Sequence, residues 1–169
     1  MYRPADPIET AAAYAVGVKS ANTPTTMALT RQKTTVLEDG SYEGALKGGY
    51  ILSSDDNPEM IMIASGSEVS LIVGAAEELR KQGKKVRVVS MPCVERFEEQ
   101  DDSYKQSVLP DDIPRSKRLA VEAASKFSWY KYADNFVCID RFGASAPGPV
   151  ALKYLGMTVD NVVKAATKI

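Results

Sequence analysis

The most informative feature of the sequence is an absence, because none of its 169 residues is histidine. Histidine is the usual general base near neutral pH, a member of Ser-His-Asp triads and a frequent zinc ligand. The chain by itself therefore excludes these three kinds of site. Catalysis would have to rest on carboxylate, lysine or tyrosine side chains or on a cofactor, which makes a complete enzyme the less favoured interpretation.

Charge imbalance and long apolar runs are also missing. The net charge is −1 at pH 7 with 25% charged residues, so the bulk charge predicts no nucleic-acid partner and no anionic membrane surface. No apolar run approaches the roughly 20 residues that cross a bilayer. The opening MYRPADPIET lacks the apolar core of a secretion signal. The sequence therefore predicts neither a membrane segment nor a secretory leader.

Cysteine is scarce, with only Cys93 and Cys138 in the chain. The two residues lie far apart and have no metal-ligand spacing. This usage is typical of free, buried thiols in a reducing compartment rather than of a disulfide framework.

From residue 49 onward the chain alternates strand patterns with helical patterns. The continuous apolar run 60–64 predicts a strand buried on both faces, and apolar residues then recur at helical spacing over 69–79. Further strands are predicted at 50–52, 86–91, 119–123 and 137–140, and further helices within 94–107 and at 125–134, 149–155 and 159–168. This alternation predicts a three-layer α/β/α fold with a mostly parallel five-stranded sheet.

The N-terminal residues 1–35 fall outside this alternation, and 169 residues fit one domain plus a short piece of another. Asp6 followed by Pro7 and Glu9 predicts a helix start. The segment TMALT at 26–30 predicts a short strand without a sheet of its own. Residues 32–48 lack a sustained period and predict a connection.

Ligands of open parallel sheets bind beyond the carboxyl ends of the strands, where the pattern places Ser65, Ser67, Cys93, Glu122 and the pair Asp140–Arg141. The loop Ser65-Gly66-Ser67-Glu68 has neither the Gly-Lys ending of a Walker loop nor the three glycines of a dinucleotide fingerprint. We interpret it as a structural strand–helix joint with a capping box formed by Ser65 and Glu68, because Glu68 would also repel an anion.

The other candidates at this edge carry two interpretations each. Glu122 is expected to accept hydrogen bonds from neighbouring loops or a partner chain, and a buried functional carboxylate is the alternative. Asp140 and Arg141 are expected to form an ion pair or a cap rather than a catalytic site. The small-residue loop 140–149 is expected to allow close chain packing, with ligand binding as the alternative.

Two further features concern aromatic and cationic side chains. The run Phe127, Trp129, Tyr130 and Tyr132 has no flanking basic stripe, so helix packing or an interface is favoured over a base-stacking platform. Arg31 directly follows the predicted strand 26–30, and a guanidinium there suits bidentate recognition of phosphate or carboxylate. On composition alone a surface salt bridge is the favoured interpretation of Arg31.

Taken in order, the segments YRPADPIE, TPTTMALTRQ, KGGYIL, MIMIASGSEVSL, VRVVSMP, SVLP, VEAAS, WYKYA and IDRFGASAP resemble the last part of a transketolase. The resemblance covers essentially the whole chain at similar spacing. It implies an enzyme of three domains per subunit that works as a homodimer with thiamine diphosphate and Mg²⁺. In this family the diphosphate and metal site lies in the first domain, the thiamine-ring pocket lies in the second, and the active site forms across the dimer.

The resemblance divides the chain into two parts. Residues 1–35 correspond to the end of the pyrimidine-binding domain and a linker, and residues 36–169 correspond to the C-terminal domain. One functional residue carries over, because Arg31 in LTRQ matches the arginine that grips the sugar phosphate, with threonine instead of the family's serine before it. No catalytic, cofactor-binding or metal-binding residue of the family maps onto this chain.

The function implied is that of a C-terminal fragment of transketolase, which transfers a two-carbon ketol unit between sugar phosphates in the pentose phosphate pathway and the Calvin cycle. The fragment alone is expected to be inactive and to support subunit architecture and dimerisation, in the cytoplasm or a plastid. A free-standing regulatory or small-ligand-binding module with this fold is the alternative. Deoxyxylulose-phosphate synthases and keto-acid dehydrogenase β subunits share the fold but fit the RPAD and TRQ segments less well.

Overall fold

A computed structural model describes all residues from 1 to 169. Seven α-helices and five strands follow one another along the chain, with two short 3₁₀ helices before and after the fourth strand. In chain order the elements are α1 (Pro7–Lys19), α2 (Tyr42–Leu46), β1 (Tyr50–Ser54), β2 (Met60–Ala64), α3 (Glu68–Lys81), β3 (Val86–Ser90), α4 (Val94–Glu98), α5 (Asp102–Val108), a 3₁₀ helix (Arg115–Lys117), β4 (Arg118–Glu122), a 3₁₀ helix (Lys126–Trp129), β5 (Asn135–Cys138), α6 (Gly148–Tyr154) and α7 (Val159–Ala166).

The five strands form one sheet in the order β1-β3-β2-β4-β5. Strand β1 runs antiparallel to β3, and the other three pairings are parallel. Strand β2 is central, since Ile63 lies opposite Val89 of β3 on one side and Ala120 of β4 on the other. The structure therefore confirms the prediction of a mostly parallel five-stranded sheet.

Helices cover both faces of this sheet. All five residues of β2 are buried, as expected for a strand without a solvent face. Met62 belongs to an apolar cluster that includes residues of α3 and α7, whereas Ile63 belongs to a second cluster with residues of α4 and α5. Successive side chains of a strand point to opposite faces, so β2 contributes to two separate cores. This arrangement confirms the predicted three layers.

The N-terminal helix α1 begins where the sequence predicts. The Asp6 carboxylate accepts a hydrogen bond from the Glu9 backbone N–H at 2.9 Å, and Pro7 occupies the first turn. The second Asp6 oxygen accepts from the backbone N–H of Leu37 at 3.1 Å. Ala12 of α1 is fully buried in the cluster shared with α3 and β2. Helix α1 is therefore packed against the main body of the chain, whereas most residues from 21 to 35 are exposed.

The predicted strand at 26–30 is wrong. Only one isolated bridge forms there, between Tyr2 and Met27. In this bridge the Tyr2 N–H donates to the Thr26 carbonyl at 2.8 Å, and the Ala28 N–H donates to the Tyr2 carbonyl at 2.9 Å. The segment has an extended pattern but no sheet edge beside it, and strands need a paired neighbour. The connection predicted at 32–48 is confirmed for its first part, and it ends in the five-residue helix α2.

The predicted helix at 125–134 is wrong in type. A single 3₁₀ turn at Lys126–Trp129 is followed by a turn. Trp129 and Tyr132 are both buried and their rings meet edge to face at a centroid distance of 6.3 Å. The short turn brings both rings into the core between the sheet and α4, so packing outweighs the local helical pattern. The packing role favoured for this aromatic run is therefore confirmed for Trp129 and Tyr132, whereas Phe127 and Tyr130 are exposed and the alternative of an interface stays a prediction for them.

No helix of the chain is both long enough and apolar enough to span a membrane.

The N-terminal segment should open locally more easily than the sheet. The backbone N–H groups of Met27 and Leu29 donate no hydrogen bond in the chain, whereas Ile61 and Val88 lie in strands paired on both sides. We expect the amides of Met27 and Leu29 to exchange with solvent at least about tenfold faster in a monomeric sample, equal to about 1.4 kcal/mol of opening free energy. Hydrogen exchange measured by NMR would contradict this if all four amides were equally protected.

Candidate functional site

The sheet has one position where a ligand crevice is expected. From β2 the chain passes through α3 to β3 on one side, and it then crosses to β4 on the other side of β2. Adjacent parallel strands whose connections run in opposite directions leave a crevice at their carboxyl ends. Here the crevice lies between Ser65, just after β2, and Glu122, the last residue of β4. We call it the β2/β4 crevice.

The β2/β4 crevice is occupied by Arg3 of the same chain. The Arg3 guanidinium donates from Nη1 to Ser65 Oγ at 3.0 Å and from Nη2 to Glu68 Oε2 at 2.8 Å. It also forms an ion pair with Glu122. Glu68 and Glu122 are both buried, and a buried carboxylate requires a cationic or hydrogen-bonding partner. Arg3 supplies that partner to both.

The predicted capping box of Ser65 and Glu68 is wrong. Ser65 Oγ donates to Glu122 Oε2 at 2.7 Å, and the residue that precedes the first helical residue of α3 is Ser67, which makes no side-chain cap. Ser67 Oγ instead donates to Glu68 Oε1 at 2.6 Å. Gly66 between the two serines has φ +59°, and the turn at residues 66–67 separates Ser65 from the first residue of α3. The interpretation as a structural strand–helix joint stands, with an ion-pair cluster in place of a cap.

Glu122 has the first of its two predicted roles in this cluster. It accepts a hydrogen bond from the neighbouring loop through Ser65, and its ion pair with Arg3 comes from the N-terminal segment. The sequence pattern placed Glu122 at the end of a buried strand but did not identify Arg3 as its partner.

Another buried carboxylate, in addition to Glu68 and Glu122, lies at the carboxyl end of β3. Glu9 of α1 is fully buried. Its Oε1 accepts from the Tyr50 hydroxyl at 3.0 Å and from Ser90 Oγ at 2.5 Å, and its Oε2 accepts from the Ala5 N–H at 2.7 Å. Burial raises the pKa of Glu9, and the three hydrogen bonds oppose this shift only in part. Glu9 therefore connects α1 to β1 and β3.

The cysteines are poor nucleophiles in this environment. Both are free thiols, Cys93 buried and Cys138 half-buried. Burial raises the pKa of Cys93, and burial with the nearby Asp140 raises the pKa of Cys138 to about 12. Because the thiolate is the reactive form, neither residue is activated at neutral pH.

The Asp140–Arg141 pair serves in ion pairing and capping, as predicted, but with partners other than each other. Asp140 accepts from the Lys126 backbone N–H at 3.2 Å and pairs with Lys126 Nζ at 3.2 Å. These contacts lower the pKa of Asp140. Arg141 donates to the Tyr154 carbonyl at 3.1 Å and lies over its ring. Neither residue contributes to the β2/β4 crevice.

Arg31 is exposed at a bend, and none of the ion pairs of the chain includes it. The surface salt bridge favoured on composition is therefore wrong within this chain. Its neighbours Thr30 and Gln32 line a cavity of about 660 Å³ together with the start of α3 and with Pro149. The loop 140–149 comes close here, because a Cβ at Gly148 would meet the Gln32 side chain at 2.9 Å. The close packing expected of the small residues in this loop is wrong, because residues 141–147 are exposed and a Cβ at Gly143 would meet no atom within 4 Å. Of the two glycines in the loop, only Gly148, where α6 begins, approaches another segment.

The chain offers no recognisable metal site. No group of three or more His, Cys, Asp and Glu side chains is arranged to hold a metal ion. The carboxylates of the β2/β4 crevice face the Arg3 guanidinium instead.

The sequence also matches a known family. A model described as the transketolase-like TK C-terminal domain matches residues 48–158. The chain belongs to this family. It is 50% identical over 173 residues to the transketolase of Nostoc sp.. That alignment covers 99% of this chain and 26% of the Nostoc protein. The chain is 49% identical to chloroplastic transketolase-1 of Arabidopsis thaliana, covering 98% of this chain and 23% of that protein.

Solved structures show the same relationship. The crystal structure of the transketolase from Pichia stipitis in complex with sedoheptulose-7-phosphate superposes with a TM-score of 0.94 at 45% identity, over 99% of this chain and 24% of that chain. These comparisons confirm the resemblance to transketolases. The chain spans about a quarter of the length of the relatives that it matches.

Sequence reasoning missed the two residues that organise the carboxyl edge of the sheet, Arg3 and Glu9. Glu122 gave an indirect signal, because a carboxylate that ends a buried strand needs a cation beside it. Nothing local identified Arg3 as that cation, since 62 positions separate it from Ser65. Glu9 looked like an ordinary first-turn acid of α1, and its contacts with Tyr50 and Ser90 appear only in the folded chain.

Glu9 should make stability depend on pH. A carboxyl whose pKa is raised on folding adds to the free energy of unfolding. This added stability is fully present below the ordinary pKa of about 4.3, and it is lost as pH rises through the folded-state pKa. Glu9→Gln removes this titration, while its amide can still hydrogen-bond the surrounding hydroxyls. We expect urea unfolding between pH 4.5 and 8 to show a smaller loss of stability for Glu9→Gln than for the wild type.

The matched control for this measurement is Glu77→Gln, which neutralises an exposed carboxylate of α3. Its pH profile should run parallel to that of the wild type. Each unit by which the Glu9 pKa is raised adds about 1.4 kcal/mol to the difference between the Glu9→Gln and wild-type profiles. Parallel profiles for all three proteins would show that Glu9 does not titrate differently on folding.

Proposed function

We propose that this chain acts as the C-terminal part of a transketolase, an enzyme that moves a two-carbon ketol unit between sugar phosphates. One observation carries the proposal: nearly the whole chain aligns at 50% identity with a transketolase of which it covers about a quarter. The deep similarity of fold, with a TM-score of 0.94 to a transketolase solved with a sugar phosphate, supports it. In this role the chain contributes to substrate binding and subunit architecture.

The proposed division of the chain places residues 1–35 at the end of the pyrimidine-binding domain and its linker, and residues 36–169 in the C-terminal domain. The family match at 48–158 supports the second part. The lone bridge at Met27 supports the first, because this extended segment lacks a sheet in the chain itself.

Thiamine diphosphate and Mg²⁺ belong, in this proposal, to the rest of the enzyme. The residues present do not fit them, since no side-chain cluster suits a metal ion and the two buried carboxylates at the β2/β4 crevice are already paired with Arg3. We therefore derive no catalytic step through the cofactor. The contribution of this chain to the reaction is limited to the binding of the sugar phosphate by Arg31 and its surroundings.

Arg31 is proposed to bind the phosphate group of the sugar substrate in the complete enzyme. Its exposed guanidinium has no partner in the chain, so all of its donors are available. A planar guanidinium matches two phosphate oxygens at once. The neighbouring cavity of about 660 Å³ leaves room beside the segment 30–35.

The complete enzyme is proposed to be a homodimer, as the family resemblance implies. Its location is proposed to be the cytoplasm or a plastid, and relatives named as chloroplastic, such as that of Arabidopsis thaliana, support the second. A free-standing binding module with this fold is the other candidate function. It is supported only by the presence of surface cavities, and direct ligand binding to the isolated chain would favour it.

The isolated chain should not bind thiamine diphosphate with Mg²⁺ and should transfer no ketol unit. Isothermal titration calorimetry should give no saturable heat at micromolar cofactor, while the complete enzyme under the same conditions serves as the positive control. The physical reason is the lack of a metal-binding cluster and of histidine. Saturable micromolar binding to the isolated chain would contradict the proposal and would favour the free-standing module.

Arg31→Ala in the complete enzyme should weaken the use of phosphorylated donors. Loss of a charge-assisted bidentate contact costs on the order of 1.5–3 kcal/mol, which lowers kcat/KM roughly tenfold to hundredfold. The loss should appear mainly in KM, because a phosphate remote from the breaking bond is bound alike in the ground and transition states. The loss in kcat/KM is measured by steady-state kinetics with two donors, one phosphorylated and the other hydroxypyruvate, which has no phosphate.

The matched control is Lys19→Ala, which removes an exposed cation at the end of α1. It should leave both donors unaffected. Hydroxypyruvate kinetics should change little in Arg31→Ala. Equal losses for the two donors would mean that Arg31 is structural, and its proposed role would then be withdrawn.

A further inference from the structure

The β2/β4 crevice binds an arginine side chain in the way that such crevices bind ligands. The backbone of Arg3 is held at the site independently of its side chain, because its N–H donates to Pro92 O at 2.8 Å and its carbonyl accepts from Gly66 N–H at 2.8 Å. The guanidinium then extends to Ser65, Glu68 and Glu122. The main chain positions the segment, and the guanidinium fills the crevice.

The charge of the crevice selects a cation. The side chains of Glu68 and Glu122 are only 2% and 5% exposed, and that of Arg3 is 23% exposed. Two buried carboxylates face one guanidinium, so removal of the guanidinium would leave both without a cation. Burying uncompensated charges is strongly unfavourable. The empty crevice would therefore attract a replacement cation.

The geometry of the crevice selects a guanidinium over an ammonium. Three acceptors surround the group, and separate terminal nitrogens serve them: Nη1 contacts Ser65 and Glu122, whereas Nη2 contacts Glu68. A planar fork with several fixed N–H groups reaches acceptors on two sides at once. An ammonium is a compact point charge and cannot span them in the same way.

A path to the crevice is present. A cavity of about 260 Å³ adjoins the cluster and is lined by Arg3, Ser65 and Glu122 together with Met1, Glu95 and Trp129. Truncation of Arg3 would enlarge the cavity toward the two buried carboxylates.

We propose that the β2/β4 crevice is a guanidinium-binding site whose ligand in the native chain is Arg3. The N-terminal segment is thus bound at the ligand position of the sheet, and the site would accept a small alkylguanidinium in trans when the Arg3 side chain is absent. This inference does not rest on the proposed function, since it concerns contacts within the chain alone.

The test is chemical rescue of Arg3→Ala in the full chain with ethylguanidinium chloride. Thermal unfolding should show a lower Tm for Arg3→Ala than for the wild type. Added ethylguanidinium at a few times its Kd should raise the Tm of the variant by about 2–4 °C, saturably. If the variant is unfolded at 25 °C, the same titration is followed as recovery of the folded circular dichroism signal.

Three matched measurements make the result specific. Ethylammonium chloride at equal concentration should give no comparable rise, and the wild type should show none because Arg3 already fills the site. The double variant Arg3→Ala, Glu122→Gln should lose the response to ethylguanidinium. The proposal is overturned if ethylguanidinium fails to stabilise Arg3→Ala, if ethylammonium is equally effective, or if the response survives in the double variant.

Discussion

The ion-pair cluster of Arg3 with Glu68 and Glu122 is the interaction on which the carboxyl edge of the sheet depends. It joins the second strand, the start of α3 and the fourth strand to a segment more than 60 residues away in sequence. Burying two carboxylates at a strand edge is unfavourable unless a cation with good geometry accompanies them. The position of the N-terminal segment and the burial of these acids therefore require each other.

Glu9 is a further buried acid whose partners come from distant segments, and it lies on the β3 side of β2. Its carboxylate is fully buried and takes hydrogen bonds from Tyr50 of β1 and Ser90 of β3. The N-terminal segment thus reaches the sheet edge with a guanidinium at one point and a buried carboxyl group at another. Both groups find polar partners on distant strands, which makes the docking of this segment specific in register and orientation.

These contacts bear on the role of the chain within its family. The crevice where an open parallel sheet normally binds a ligand is occupied by the chain's own arginine, and the chain aligns with about a quarter of a transketolase. An internally occupied crevice agrees with a supporting role for this part. Arg31, by contrast, is exposed with its guanidinium unpaired, so the proposed contact with a sugar phosphate would be completed by the remaining parts of the enzyme.

The sequence by itself determined the elements whose signals are local. The apolar run 60–64, the helical spacing over 69–79 and the cap at Asp6 report burial, periodicity and end geometry, and each is found where it was predicted. The role proposed for Arg31 comes from the family resemblance and stays a prediction, because an arginine after a predicted strand by itself favours a salt bridge.

Only the tertiary structure decided which groups meet at the carboxyl edge of the sheet. The helix expected at 125–134 gave way to the burial of Trp129 and Tyr132, and Ser65 turned to Glu122 instead of capping α3. The partners of Glu122 and Glu9 come from segments that no local pattern connects to them. The physical reason is that periodicity encodes whether a side chain is buried, whereas its partner depends on which distant segment folds over it.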